Sequence, residues 1–279
     1  IGESAIGTGV ATGFDNIGIG RLAGNDLTSG AGNLFAGYQA GGNITLGSYN
    51  VALGYGALDA ATTGNNCKET IAIGKHALGS GIVTGSTNIA IGSSAGMNLT
   101  SSTSSVLIGK SAGSNLTSGS NTIAIGTFAM LAGVTTGTDN IAIGQRAGYN
   151  LTSGGYNVAA GYRAAEGLTT GSNNISLGGL SLQNSTTASY NIGIGNYALQ
   201  GSSSAKLTGQ YNVGIGYRSG SSLTTGQYNV ITGYQAGYGL TTASYNVISG
   251  YQAGKSLTSA TNNVMIGKLA GNLNTESQN

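Results

Sequence analysis

Asn16-Ile-Gly-Ile-Gly20, Asn140-Ile-Ala-Ile-Gly144, Asn191-Ile-Gly-Ile-Gly195 and Asn212-Val-Gly-Ile-Gly216 are copies of one five-residue template. Following its last glycine along the chain gives positions 20, 37, 54, 74, 92, 109, 126, 144, 161, 178, 195, 216, 233, 250 and 267. Ten of those fourteen steps are 17 residues long, and the others are 18, 18, 20 and 21. Gly7, closing Glu3-Ser-Ala-Ile-Gly7, marks a shortened further unit. The chain therefore reads as a single array over 1–279, with a shortened first coil at 1–15 and regular coils over 16–279, about 16 in all.

Numbered from its Asn, the unit is Asn-Ile/Val-Ala/Gly-Ile-Gly-x-x-Ala-Gly/Leu-x-x-Leu-Thr-Ser/Thr-Gly-x-Tyr/Asn. Each of its glycines would cost a helix roughly 1 kcal/mol. A β-branched run followed by Thr-Gly instead predicts strand, turn, strand, turn. The expected fold is all-β, a parallel β-solenoid with one unit per coil. Coils stacked about 4.8 Å apart would make a rod on the order of 75 Å long. The extra residues of the 20- and 21-residue units, near 59–70 and 201–210, are expected to bulge from turns.

Composition agrees with a repeat and excludes several classes. Glycine fills 52 of 279 positions, proline and tryptophan are absent, and charged residues make only 6%. Collagen needs glycine at every third residue together with proline. A disordered linker would not be 39% hydrophobic. No apolar run approaches the roughly 20 residues of a membrane helix, so membrane insertion is not expected. Ten basic and eight acidic residues, scattered to a net +2, are too dilute for a nucleic-acid surface. The chain starts at Ile1 without a basic-then-apolar leader and reads as processed, trimmed or partial. A single Cys gives no disulfide framework.

Alternation along the strand assigns the faces. Positions 2 and 4, as at Ile17 and Ile19, share one side and are expected to fill the coil interior. Position 8 is always Ala or Ser, which predicts a tight corner. Position 3 then faces outward, yet only Ser176 of its fifteen residues is polar. A strand apolar on both sides is covered on both sides. Phe35, Ala52, Ala72, Ala90, Leu107, Ala124, Ala142, Ile231, Ile248 and Met265 are therefore the candidate oligomer interface, and the partner is another copy of the chain.

Asn-Ile-Ala-Ile-Gly at 88–92 and 140–144 resembles the strand motif of trimeric autotransporter adhesin heads. Tyr245-Asn-Val-Ile-Ser-Gly-Tyr-Gln-Ala-Gly254 and Leu223-Thr-Thr-Gly-Gln-Tyr-Asn229 are similar to repeats of phage tail fibres. Such repeats also occur in bacterial surface proteins that carry an intramolecular chaperone. The resemblance covers nearly the whole chain. It implies a left-handed β-roll, an intertwined or side-by-side homotrimer, and an extracellular or virion-surface location. The 17-residue period departs from the roughly 14 of the adhesin heads, and so implies a longer turn.

Little in the sequence points to catalysis. His76 and Cys67 flank an inserted loop without an orienting third group and read as a solvent-facing turn pair. Asp and Glu are isolated, which argues against a two-carboxylate site or a hard-metal cage. The Gly-x-Gly fragments lie at strand ends, not in a phosphate loop. No catalytic residue, cofactor or metal is assigned. Tyrosines recur at position 17 (Tyr211, Tyr228, Tyr245) and position 6 (Tyr217, Tyr234, Tyr251). They read either as ladders that stabilise the sheet, which is preferred, or as a contact surface for glycans. Position 1 is an Asn ladder (Asn16, Asn33, Asn50, Asn88, Asn140, Asn157, Asn174) whose stacked amides suffice as a structural role. A Thr column (Thr28, Thr45, Thr117, Thr152, Thr169, Thr224, Thr241, Thr258) allows an ice-binding reading, though one column is weaker than a flat double array.

The expected function is structural: the shaft of a trimeric extracellular fibre, a phage tail-fibre segment supporting host attachment. The expected partners are the other copies, other fibre proteins and a host-surface glycan. The alternatives are a bacterial surface adhesin that binds glycans through its Tyr-rich half, and a self-assembling extracellular filament.

Overall fold

In a computed structural model, which describes residues 2–7, 12–59 and 66–272, the chain is a parallel β-solenoid without helices. It divides into two compact units, Ile1–Asp139 and Asn140–Asn279. The first holds β1 (Ile17–Ile19), β2 (Leu34–Ala36), β3 (Val51–Leu53), β4 (Ile71–Ile73), β5 (Ile89–Ile91), β6 (Val106–Ile108) and β7 (Ile123–Ile125). The second holds β8 (Ile141–Ile143), β9 (Val158–Ala160), β10 (Ile175–Leu177), β11 (Ile192–Ile194), β12 (Val213–Ile215), β13 (Val230–Thr232), β14 (Val247–Ser249) and β15 (Val264–Ile266). Parts of the expected first coil (8–11), of the 20-residue unit (60–65) and of the C-terminal end (273–279) lie outside the described residues.

Within each unit every strand pairs in parallel with the next, and equivalent positions face each other. Ile17 is opposite Leu34, and Gly18 is opposite Phe35. Val230 is opposite Val247, and Ile231 is opposite Ile248. Each coil has one three-residue strand rather than the two expected. The rest of the coil is turn, with only isolated bridges such as Ser48 to Lys68 and Ser185 to Leu207. The turns fold back through left-handed backbone at fixed places. Position 7 adopts it without glycine, as at Gln39 (φ 55°), Arg163 (φ 54°) and Gln235 (φ 52°), and so does position 17, as at Tyr228 (φ 56°). Such residues continue the turn and cannot continue a second strand.

Position 5 has a stricter requirement. Gly54 has φ 130° and Gly109 φ 126°, a region open only to glycine. A Cβ on Gly54 would also lie 2.9 Å from the carbonyl carbon of Gly74 in the next coil. The template glycine is therefore fixed by its own backbone and by the coil above it.

The interior corrects the expected faces. Phe35, Ala52, Ala72, Ala90, Leu107, Ala124, Ile231 and Ile248 are wholly buried within the single chain, and Ala142 and Met265 nearly so. They are core, not an oligomer interface. Position 3 meets position 8 (Ala23, Ala57, Ala95, Ala236) inside a narrow coil, where small side chains are what fits. Ser176, the one polar residue at position 3, is also interior, and its hydroxyl donates to the Ser181 carbonyl (2.8 Å). Positions 2 and 4 point the other way, towards solvent. Ile17, Ile19, Ile215, Val230, Val247, Val264 and Ile266 are all exposed.

Beside position 3, a coil takes a large core side chain from position 12 or from position 9. Where position 9 is Gly, as at Gly96, Gly237 and Gly254, position 12 supplies Leu99, Leu240 and Leu257. Where position 9 is Leu or Met, as at Leu78, Met130, Leu182 and Leu199, position 12 is Gly81, Gly133, Ser185 and Ser202. A Cβ on Gly237 would meet the Leu240 side chain at 2.8 Å, so the two positions share one volume.

Candidate functional site

The inverted faces give each unit a distinctive outward surface. Positions 17, 2, 4 and 6 lie in a row across each coil. In β12 that row is Tyr211, Val213, Ile215 and Tyr217, and in β13 it is Tyr228, Val230, Thr232 and Tyr234. Two aliphatic columns thus run between two columns rich in tyrosine.

The tyrosines form ladders. Tyr190, Tyr211, Tyr228 and Tyr245 stack in succession at centroid spacings of 4.9, 5.0 and 5.1 Å with interplanar angles below 10°. Tyr217, Tyr234 and Tyr251 stack at 5.3 Å per step. The candidate contact residues Tyr211, Tyr217, Tyr228, Tyr234, Tyr245 and Tyr251 are therefore brought together as two files. In a stack, both faces of an inner ring such as Tyr228 or Tyr234 are covered by its neighbours. A sugar ring packs on an aromatic face, so these inner rings offer it only their edges.

The Asn ladder forms as expected, and it is buried. The Asn229 side-chain carbonyl accepts from the Asn246 backbone N–H (3.1 Å) and side-chain amide (2.9 Å). Its own amide donates across the coil to the Ala243 carbonyl (2.8 Å). In the second unit this pattern recurs from Asn140 to Asn263. The Thr column is similarly engaged: Thr152, Thr169, Thr224 and Thr241 each donate their hydroxyl to the equivalent carbonyl one coil on. Those hydroxyls bind the solenoid to itself, which removes support from the ice-binding reading.

Cys67 and His76 are not a solvent-facing pair. Cys67 is wholly buried, and burial pushes its thiol up to about 12, so it stays protonated and unreactive at neutral pH. It stands where other coils place the glycine of position 15, and its carbonyl accepts from Asn50 (3.0 Å) as the Gly47 carbonyl accepts from Asn33. His76 is half-buried and packs edge-on against Tyr55 at 5.1 Å.

Glu166, read as an isolated acid, has cationic partners. Its side chain is 7% exposed and lies between Arg146 (2.6 Å) and Arg163, which donates to it through Nε. Burial raises its pKa, but hydrogen bonds from Gln183 and Arg163 and the two guanidinium charges outweigh that and hold the carboxyl below its ordinary range. The Arg146 contact is one of charge, since its Nε is not aligned for a hydrogen bond. Sequence reading missed this cluster because Arg146 and Gln183 lie 20 and 17 residues from Glu166, and only Arg163 is near it in the chain. The signal was present at position 10, where Glu166, Gln183 and Gln200 follow one another in a column of otherwise mixed residues.

Among the described residues no group of three or more His, Cys, Asp or Glu side chains is placed to hold a metal ion. No family model, no curated protein and no solved structure matches the chain.

Proposed function

We propose that the chain is the shaft of a homotrimeric extracellular fibre, a phage tail-fibre segment that holds a host-attachment element away from the particle. The observation that carries the proposal is the outward aliphatic face. In the second unit, thirteen of sixteen residues at positions 2 and 4 are Ile, Val or Leu. If each leaves on the order of 60 Å² in water, they total about 800 Å², what one partner contributes to a standard interface. Monomers rarely leave a contiguous apolar patch of that size uncovered.

The argument from two-sided apolar strands thus survives the exchange of faces. Position 3 is covered by the chain's own coil, and positions 2 and 4 await another copy. The number three follows the resemblance to trimeric fibre repeats. Stiffness, the property a shaft needs, is supported by the backbone ladder and by Asn, Thr and Tyr ladders that run through successive coils. Light scattering at micromolar concentration tests the assembly: the expected molar mass is three times 27.4 kDa. A stable monomer would defeat the proposal.

A further inference from the structure

Charge is distributed unevenly along this sparsely charged chain. Residues 140–279 hold six of the ten basic residues but only two of the eight acidic ones, and Glu166 is the only acid among those described. Four of the six bases meet around one feature. A groove of about 460 Å³ is lined by Arg163, Gln183, Gln200, Ser202, Arg218 and Tyr238. A second lobe of about 290 Å³, lined by Arg146, Glu166 and Lys206, shares Arg163, Gln183 and Asn184 with the first. Counting Arg146, Arg163, Lys206 and Arg218 against Glu166, four cations face one anion, a local charge of +3.

The groove is a product of the longest unit. Its extra residues, near 201–206, form a wall that the 17-residue coils lack. That wall is closed on itself: the Ala205 N–H donates to the Ser202 hydroxyl (2.8 Å), and the Ser202 N–H to the Ala205 carbonyl (3.2 Å). The floor is equally fixed. Gln200 donates to Gln183 (2.9 Å), Gln183 donates to Glu166 (3.1 Å), and Glu166 is held by the two arginines. Arg218 is positioned over the Tyr197 ring at 5.1 Å and the Tyr217 ring at 5.4 Å. Among the described residues neither Arg218 nor Lys206 forms an ion pair.

We propose that this groove binds an acidic oligosaccharide, with Arg218 and Lys206 receiving its anionic groups and the Gln, Asn and Ser side chains receiving its hydroxyls. Its volume falls within the roughly 300–1,000 Å³ of small-ligand sites. Its lining differs from theirs in being almost wholly amide, hydroxyl and guanidinium, which selects a ligand that is polar all round. The excess of cations selects an anion. Arg218 covers the Tyr197 and Tyr217 rings, which leaves Tyr238 as the one aromatic side chain in the lining, and a single platform disfavours a ligand that must stack successive bases, such as single-stranded nucleic acid. None of the groove's lining residues belongs to the aliphatic columns at positions 2 and 4, so the site does not depend on the trimeric shaft.

Calorimetric titration of the full chain with tetragalacturonate, a chondroitin sulfate tetrasaccharide and neutral maltotetraose tests the proposal. At least one acidic ligand should bind, maltotetraose should not, and binding should weaken as salt rises. Comparing the chondroitin sulfate with its desulfated form, which keeps the uronate carboxylates, identifies whether sulfate is among the groups received. Arg218→Gln with Lys206→Gln should weaken binding by about tenfold or more. Lys206→Glu alone, on the exposed loop, should produce the same loss if the double variant fails to fold. Equal binding of maltotetraose, no binding of either acidic ligand, or unchanged affinity in folded variants would each overturn the proposal. Molar mass, read separately, distinguishes failure of this site from failure of the shaft.

Discussion

Asn229 shows how much one residue supports in this fold. Its side chain satisfies the Asn246 N–H above and the Ala243 carbonyl across the coil, both removed from water. Asn229→Ala would leave two buried backbone groups without partners, at about 1–3 kcal/mol each. Urea denaturation should accordingly show a loss of roughly 2–6 kcal/mol. A loss below about 0.5 kcal/mol would mean that water replaces the amide. The Asn ladder was legible in the sequence because an amide can serve the same partner at every repeat. Cys67 was not, because the inserted residues before it hide its place at position 15. Counting back from Thr70, which takes the Asn position of the next coil, restores that place.

At the level of the coil, the period, the parallel stacking and the invariant small residue at position 8 could all be read directly. The orientation of the strand could not be read from hydrophobicity, since both of its sides are apolar. Side-chain volume and charge carried the missing signal. Odd positions hold Asn, Ala and Gly, which fit a narrow interior already occupied by Ala at position 8. The opposite side includes the charged residues Arg21, Lys75, Lys110 and Lys268 at position 6 and, directly before position 1 and so on that same side, Asp15, Glu69 and Asp139 at position 17. Charges this short of buried partners mark the solvent side, and positions 2 and 4 share it. The exchange between positions 9 and 12 makes a prediction at the same scale. Leu257→Ala should destabilise the chain by about 3 kcal/mol through the cavity it leaves. Adding Gly254→Leu with Ile248→Gly reproduces positions 3 and 9 of the Leu199 coil, where position 3 is Gly193 rather than a large side chain. The resulting variant should recover part of the loss shown by Ile248→Gly with Leu257→Ala in the same denaturation experiment. No recovery would show that the two positions do not share a volume.

For the whole molecule, the proposed assembly would account for the low charge and the apolar outer columns together: surface in the single chain would be interface between copies. That expectation came from the sequence, with the wrong residues assigned to it. With Phe35, Ile231 and Ile248 buried within their own coils, the proposed interface moves to the exposed Ile215, Val230 and Val247 and their equivalents. The polar groove was not legible in the sequence, because it depends on where one inserted loop comes to lie beside arginines from other coils. The most direct test of the account is the molar mass of the Val230→Lys, Val247→Lys variant. Both side chains are more than 40% exposed in the single chain, so the coil itself can accommodate lysine there. The account predicts a fall from three times 27.4 kDa to 27.4 kDa with the β-sheet circular dichroism retained. An unchanged trimer mass would show that the copies associate through some other surface and would contradict it.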